Sequence, residues 1–192
     1  NRAEQRFEMI TPYLVPGKPG MAQLGELRER GVEVRLLTNA LANTDHSIVH
    51  GAYRRYRVPL LADGVELHEY APTDEGARRT RMLHAKTFVI DRRTAFIGSF
   101  NYDLRSAFLN TEIGVVFEAP ELVGALCNWQ DVAMAPQNAF HLSLHGRWIR
   151  WDQSLEGQDA SQLPEIWYEP KASPARRALS WVVGHLPIHS YL

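Results

Sequence analysis

Two apolar runs, residues 87–90 (Thr-Phe-Val-Ile) and 94–97 (Thr-Ala-Phe-Ile), flank Asp91-Arg92-Arg93. Two short strands joined at a turn-forming carboxylate make a hairpin, and that hairpin constrains the rest of the chain. It is entered through His84-Ala-Lys86 and left through Gly98-Ser99-Phe-Asn101. In an extended chain, residues two apart share a face, so His84 and Lys86 aim together at one pocket. Ser99 and Asn101 do the same if their stretch is extended. Gly98 lets the backbone approach closely where a side chain would collide.

An imidazole, an ammonium, a hydroxyl and a carboxamide gathered this closely suit a phosphoryl group. Neutral imidazole can attack phosphorus, or pass a proton to an entering or leaving oxygen. Lys86 and Asn101 can donate to non-bridging oxygens whose charge must be held through the transition state. Ser99 adds a hydroxyl donor on the side of Asn101. The position of Asp91 suits a turn better than proton transfer. A bare His-x-Lys carries little weight, whereas the whole string is far more specific. The plain alternative is a core histidine with satisfied bonds in a hairpin.

The string resembles the HKD motif of the phospholipase D superfamily, H-x-K-x4-D-x6-G-S-x-N, at every specified position. Asn110-Thr-Glu112 is similar to the family's carboxylate that orients the histidine of an opposing half-site. Ile10-Thr-Pro-Tyr13-Leu-Val-Pro16-Gly17, Leu37-Thr-Asn39 through Thr44-Asp45, Gly98 through Ser106 and Leu186-Pro187-Ile188 resemble the cardiolipin synthase branch, most narrowly its C-type bacterial members. The resemblance covers nearly the full length. It implies a phosphatidyltransferase working through a phosphohistidine, with His84, Lys86, Asp91 and Glu112 catalytic and Lys86, Ser99 and Asn101 on the phosphate. It further implies a phosphatidylglycerol-like phospholipid substrate and peripheral attachment at the cytoplasmic face of a bacterial inner membrane. Neither a cofactor nor a nucleic-acid partner is expected, and lysine supplies the charge that Mg2+ supplies elsewhere. Tyr13, Asn39 and Asp45 come with the resemblance as pocket residues. A loop tyrosine, a strand-end amide and a helix cap account for them equally well.

Catalysis in this family needs two facing motifs, and this chain carries one. His46, His50, His68, His141, His145, His185 and His189 are not followed two residues later by lysine. The chain also opens at Asn1 directly before an apolar strand candidate. The expectation is a C-terminal half whose first motif lies upstream, with a homodimeric small subunit as the competing arrangement. Hydrolysis or nucleic-acid cleavage at the same site stays open, as does an isolated half that turns nothing over.

Alternating strand and helix signals predict an α/β domain, a mixed β-sheet flanked by helices. The expected strands cover 7–11, 32–37, 65–70, 85–90, 94–98 and 113–117. The expected helices cover 21–30, 45–62 (capped by Thr44 or Asp45) and 120–134. Residues 1–135 form the catalytic half and 136–192 a small extension. The extension holds a hairpin turning at His145-Gly146, a proline-punctuated linker and a short helix over 175–185. Tyr53 and Tyr56 should pack on the sheet, leaving Arg54, Arg55 and Arg57 in solvent or near the pocket mouth. Cys127 reads as a small buried hydrophobe. A net charge of −1 over 192 residues argues against a nucleic-acid-coating surface. Arg78, Arg79, Arg81, Arg92 and Arg93 can draw in an anionic lipid or simply be solvated. The Trp181–Leu192 stretch can rest at a membrane interface or close the core. No apolar run approaches the about 20 residues of a membrane-spanning helix, and no credible metal-ligand spacing is present.

Overall fold

The 87–90 and 94–97 runs pair as a hairpin, and a sheet extends from it on both sides. In the computed structural model, which describes residues 3–70, 82–153 and 165–186, β5 (Thr87–Ile90) and β6 (Thr94–Gly98) are antiparallel. The carboxylate of Asp91 accepts the backbone N–H groups of Glu4, Gln5 and Arg6, fastening the turn to the start of β1 (Arg6–Ile10). Asp91 and Arg92 both have φ near +52°, a left-handed conformation that aspartate tolerates better than most residues.

β1 lies antiparallel to β5 and parallel to β3 (Glu33–Asn39), which is parallel to β4 (Glu66–Tyr70). On the far side of the hairpin, β8 (Gly114–Phe117) pairs antiparallel with β6. Beyond β4 come β9 (Ala139–His145) and β10 (Trp148–Asp152), both antiparallel. Among the described residues the order is β10-β9-β4-β3-β1-β5-β6-β8, the mixed sheet expected from the sequence. Because β9 pairs directly with β4, the hairpin of the 136–192 segment continues the main sheet. Its turn is Gly146-Arg147, one residue later than expected: His145 pairs with Trp148, and Gly146 supplies the positive φ.

Helices cover both faces. α1 (Gly17–Glu29) and α2 (Ser47–Ala62) bury Leu24, Leu27, Tyr53 and Leu60 against Met9, Val34, Leu36 and Leu67. On the other face α4 (Pro120–Met134) buries Val123, Leu126 and Cys127 on Val89 and Ala95, and Met134 on Ile10 and Leu37. The sheet residues follow the period-2 alternation of a strand, Leu36 facing one layer and Leu37 the other. Two expected helix starts shift. α1 begins at Gly17, because Pro16 and Pro19 fall where a first turn lacks backbone partners. α2 starts after His46 with no side-chain cap: the Asp45 carboxylate is taken by Tyr13, and the Thr44 hydroxyl accepts from the His46 N–H.

A two-stranded sheet, β2 (Leu14–Val15) parallel to β7 (Tyr102–Asp103), ties the loop after β1 to the segment after β6. A short helix, α3 (Leu104–Phe108), follows at once. α5 (Pro174–His185), capped by Ser173, packs along α2.

Candidate active site

Asn39, at the end of β3, is buried and holds the chain just before the histidine. Its amide donates to the Leu83 carbonyl at 2.8 Å, and its carbonyl accepts the Leu83 N–H at 3.0 Å. Leu83 is itself buried against Ile10 and Leu37. With that residue fixed, His84 emerges onto open surface, its ring edge-on to Tyr13 at 6.2 Å between centroids. Asn39 therefore acts on the backbone that presents His84 and does not line a pocket.

Residues 82–86 run ahead of β5 without ladder pairing, except that the Gly98 N–H donates to the Lys86 carbonyl at 3.1 Å. The Lys86 ammonium folds back to donate to the His84 backbone carbonyl at 3.0 Å. Partial burial lowers the Lys86 pKa, while Glu112, Asp45 and Asp103 push it up. Three carboxylates thus surround one ammonium, and this half-site has little positive charge to spare.

Ser99 is more committed than the sequence suggests. Its hydroxyl donates to the Glu112 carboxylate in a very short contact and accepts the Ile113 N–H at 2.9 Å. The bond from Ser99, with help from Ser106, Asn110 and Lys86, holds the Glu112 carboxyl below its ordinary range despite some desolvation. Glu112 is an ionised group beside the motif, close enough to Lys86 to act on its charge.

Asn101 is the least satisfied member. Its backbone N–H reaches the Ser106 hydroxyl at 3.2 Å, but its side-chain Oδ1 is buried with no hydrogen-bond partner among the described residues. Buried polar atoms rarely stay unpaired unless something else fills the position. Gly98, just before it, has no room for a side chain: an added Cβ would lie 2.5 Å from the Ile113 carbonyl.

Tyr13 donates to both Asp45 oxygens at 3.0 Å, and burial together with that carboxylate pushes its phenol far above the usual range. The Thr11 hydroxyl donates to the Tyr13 carbonyl and accepts the Tyr102 N–H, so the Tyr13 loop and the Asn101 segment are positioned as one unit. The structure therefore gathers Tyr13, Asp45, His84, Lys86, Ser99, Asn101 and Glu112. It leaves out Asp91, which lies at the opposite end of β5, four strand residues or ~13 Å further on.

Sequence reasoning missed His46, whose ring meets Tyr13 edge-on at 5.7 Å, and Asp103, whose Oδ1 caps α3 by accepting the Ser106 N–H at 2.7 Å. Asp103-x-x-Ser106 is a capping spacing that could have been read. Nothing local singles out His46.

Beside Ser99 and Glu112 lies an apolar margin. Ile113, Val115 and Val116 are 80, 65 and 62% exposed, and Phe108, Leu109 and Ile97 are exposed with them. Val115 and Val116 point to opposite faces of an outermost strand, and both stand in solvent. Ile97 pairs with Val115 on one of those faces, and exposed apolar side chains grouped in this way mark a contact site.

One group resembles a metal centre and is not one. Oxygen and nitrogen atoms of His50, Glu69 and Glu169 lie within 4.8 Å of one another. The cation among them is Arg57, 2.6 Å from each of the two carboxylates and 3.0 Å from His50 Nε2. Arg57 is only 2% exposed, which corrects the expectation that all three α2 arginines reach solvent or the pocket mouth.

Residues 1–131 match the family described as "Cardiolipin synthase, PLD-like domain". The chain belongs to that family. The cardiolipin synthase C of Escherichia coli K12 is 42% identical over 159 residues, covering 77% of this chain and 33% of the relative. The chain thus spans about a third of the length of that relative. Among solved structures, phosphatidylserine synthase of Haemophilus influenzae superposes with a TM-score of 0.59 at 15% identity. That match covers 73% of this chain and 34% of the neighbour. The phospholipase D family member Nuc of Salmonella typhimurium gives a TM-score of 0.51 at 20% identity over 71% of this chain and 82% of Nuc. At those identities the likeness is one of fold. The mixed sheet with helices on both faces is the phospholipase D-like half anticipated from the HKD string.

Proposed function

We propose that this cardiolipin synthase-family chain supplies one of two HKD half-sites of a phosphatidyltransferase. The observation that carries the reading is the presentation of His84. A surface imidazole is held by the Asn39–Leu83 clamp beside an ammonium that donates to the same stretch of backbone. A nucleophilic or proton-carrying imidazole next to a cation matches what a phosphodiester requires.

In the proposed cycle one histidine of the pair attacks phosphorus, forming a P–N bond as the P–O bond to the departing alcohol breaks. The other histidine protonates that alcohol. It then takes the proton of an incoming hydroxyl, whose oxygen forms the new P–O bond while the P–N bond breaks. His84 fills one of these roles. Lys86 and Asn101 hold non-bridging oxygens, joined by Ser99 once its proton turns from Glu112. Glu112 steadies the histidine across the interface. Asp91 anchors the hairpin, and Tyr13 and Asp45 wall the pocket.

The surplus of carboxylates around Lys86 and the apolar margin on β8 both favour a second half docking there, bringing its own cation. That half comes from upstream in the same protein or from a second subunit. The substrate is a phosphatidylglycerol-like phospholipid, reached from the cytoplasmic face of the bacterial inner membrane. Among the described residues no helix is long and apolar enough to cross a membrane.

The test offers phosphatidylglycerol vesicles and supercoiled DNA in parallel to the chain joined with a second HKD half. Diphosphatidylglycerol and free glycerol appearing only with His84 intact supports the transferase. Release of phosphatidic acid without transfer moves the reading to hydrolysis. DNA cleavage without lipid exchange overturns it.

A further inference from the structure

α5 packs the wrong way round for an ordinary surface helix. The side chains it turns inward are Ser180 and Val183, fitted against Gly51 and His50 of α2. An added Cβ on Gly51 would sit 2.7 Å from Val183, so the two helices approach closely. Its larger apolar residues face out: Leu179, Trp181, Val182 and Leu186 are all about half exposed. Leu179, Val182 and Leu186 fall three and four apart, one stripe along the helix.

On the other side of that outward surface, Arg177, Ala178 and Trp181 line a cleft of about 520 Å3 between α5, α2 and the β9–β10 hairpin. Trp148, Trp167, Tyr168 and Trp181 line it, each 40% exposed or more. Arg54 and Arg57 on its walls are matched by the carboxylates of Glu169 and Glu69, which leaves Arg147 and Arg177 as the uncompensated cations of its lining. Glu169 is 4% exposed and already engaged by Arg57 and Arg54. Arg147 lies over the Trp148 ring at 4.9 Å and Arg177 over Tyr168 at 4.7 Å. The open face of the cleft is therefore cationic and aromatic in a chain whose net charge is −1.

We propose that the outward face of α5, with this cleft, is the surface by which the protein docks on an anionic phospholipid bilayer. Half-exposed tryptophan and tyrosine rings prefer the depth of lipid head groups, where the ring body is apolar and its polar edge stays wet. Arginines beside them meet lipid phosphates, and an outward leucine–valine stripe reaches the first acyl carbons. A second protein copy needs no excess of positive charge, whereas an anionic lipid surface does.

The docking face is joined rigidly to the site. Arg176, in the first turn of α5, donates to the carbonyls of Ala42 and Thr44 and to the Ser47 hydroxyl. That segment carries Asp45 and His46, which pack on Tyr13 beside His84. Docking would then hold His84 at a fixed attitude to the lipid surface. The purpose of the face rests on the phosphatidyltransferase reading, but its test does not.

The experiment floats the full chain with vesicles of phosphatidylglycerol and phosphatidylcholine, and with phosphatidylcholine alone. Tryptophan quenching by brominated acyl chains gives a second signal. The expected result is co-flotation with the anionic vesicles only, weakening with salt, and quenching of tryptophan. Arg147→Glu should lower partitioning by roughly five- to thirty-fold, the effect of removing or reversing one charge near such a surface. Leu179→Asp combined with Val182→Asp should lower it at least about tenfold. Trp148→Ala, on the hairpin rather than the helix, gives an independent variant. All of these side chains are exposed, and unchanged unfolding midpoints will show that the fold is intact. Equal binding by the wild type and the three variants overturns the proposal, as does equal binding to neutral vesicles. It is also overturned if the paired aspartates split an oligomer seen by light scattering, which would assign the face to a second copy. His84→Ala should bind vesicles normally, so loss of exchange with retained docking separates failure of the chemistry from failure of the surface.

Discussion

Two of the places where histidine, carboxylate and cation meet in this molecule have opposite outcomes. Behind α2, His50, Arg57, Glu69 and Glu169 are buried and mutually bonded: Tyr53 donates to Glu69, the Trp151 indole N–H donates to its other oxygen, and Ser180 meets the imidazole. Just ahead of β5, His84, Lys86 and Glu112 stand at the surface with fewer partners, beside an amide oxygen that has none among the described residues. Residue types alone do not make a catalytic group. The completed set is a structural tie, and the uncompleted set is open to a ligand.

The sharpest way to break the contrast is to unbalance the finished set. Arg57→Met leaves two buried carboxylates without their cation, and should lower stability by about 3–5 kcal/mol in urea unfolding. A loss under ~1 kcal/mol would mean that Glu69 and Glu169 find protons or solvent easily, and the tie is not structural.

Asn39→Ala links the two regions, because it loosens the open site from within the core. It strips the buried Leu83 N–H and carbonyl of their partners and should cost about 2 kcal/mol. Exchange should fall roughly tenfold more than unfolding explains, since small displacements of reacting groups are costly. An unchanged rate at low temperature, where the variant stays folded, would remove Asn39 from the account.

Acid should affect the buried set first. Burial depresses the His50 pKa from 6.5 to about 3, with Arg57, Arg54 and Arg176 adding to the effect and Glu169 opposing it. Arg57 donates to Nε2, which leaves Nδ1 to carry the proton toward Ser180. Below pH 6.5 the unfolded chain takes up a proton that the folded one refuses. The His50 contribution is complete above that pH and is lost as pH falls toward about 3, amounting to about 2 kcal/mol by pH 5. Glu169, held down at about 2 by Arg57 and His50 against its own desolvation, adds loss in the same direction below pH 4.5. Burial of Glu69 raises its pKa and works the opposite way. The readout is therefore the difference between wild type and His50→Gln, which should flatten the profile between pH 6.5 and 5. Parallel profiles would contradict a neutral buried imidazole.

The smallest effect is expected at Asp91. Asp91→Asn keeps one acceptor for the N–H groups of Glu4, Gln5 and Arg6 and should cost about 1 kcal/mol, with turnover nearly unchanged. A thousandfold loss of turnover at unchanged stability would return this carboxylate to the chemistry.

The sequence made the open region legible and concealed the closed one. Each strand of the hairpin is four or five residues of local pattern, and the motif occupies the chain on either side of it, so both can be read without knowing the fold. The Arg57 tie joins α2 to residues 12 and 112 positions further on, and no helical periodicity announces that an arginine will turn inward. Helical spacing alone put Arg57 outside, because an arginine is normally left in water unless a paired partner is in place. Asn39 was visible as a residue, but its partner, a backbone amide 44 positions away, was not. The cap expected from Asp45 failed for the same reason, since Tyr13 claims that carboxylate across 32 positions.

The decisive measurement mixes this chain with a second HKD half and follows transfer between phosphatidylglycerol molecules by mass spectrometry. With His84 in place, the joined halves should form diphosphatidylglycerol while each half alone does not. His84→Ala, though folded and still able to join, should fall by roughly 10^3-fold or more. Undiminished transfer by the His84→Ala pair would contradict the account.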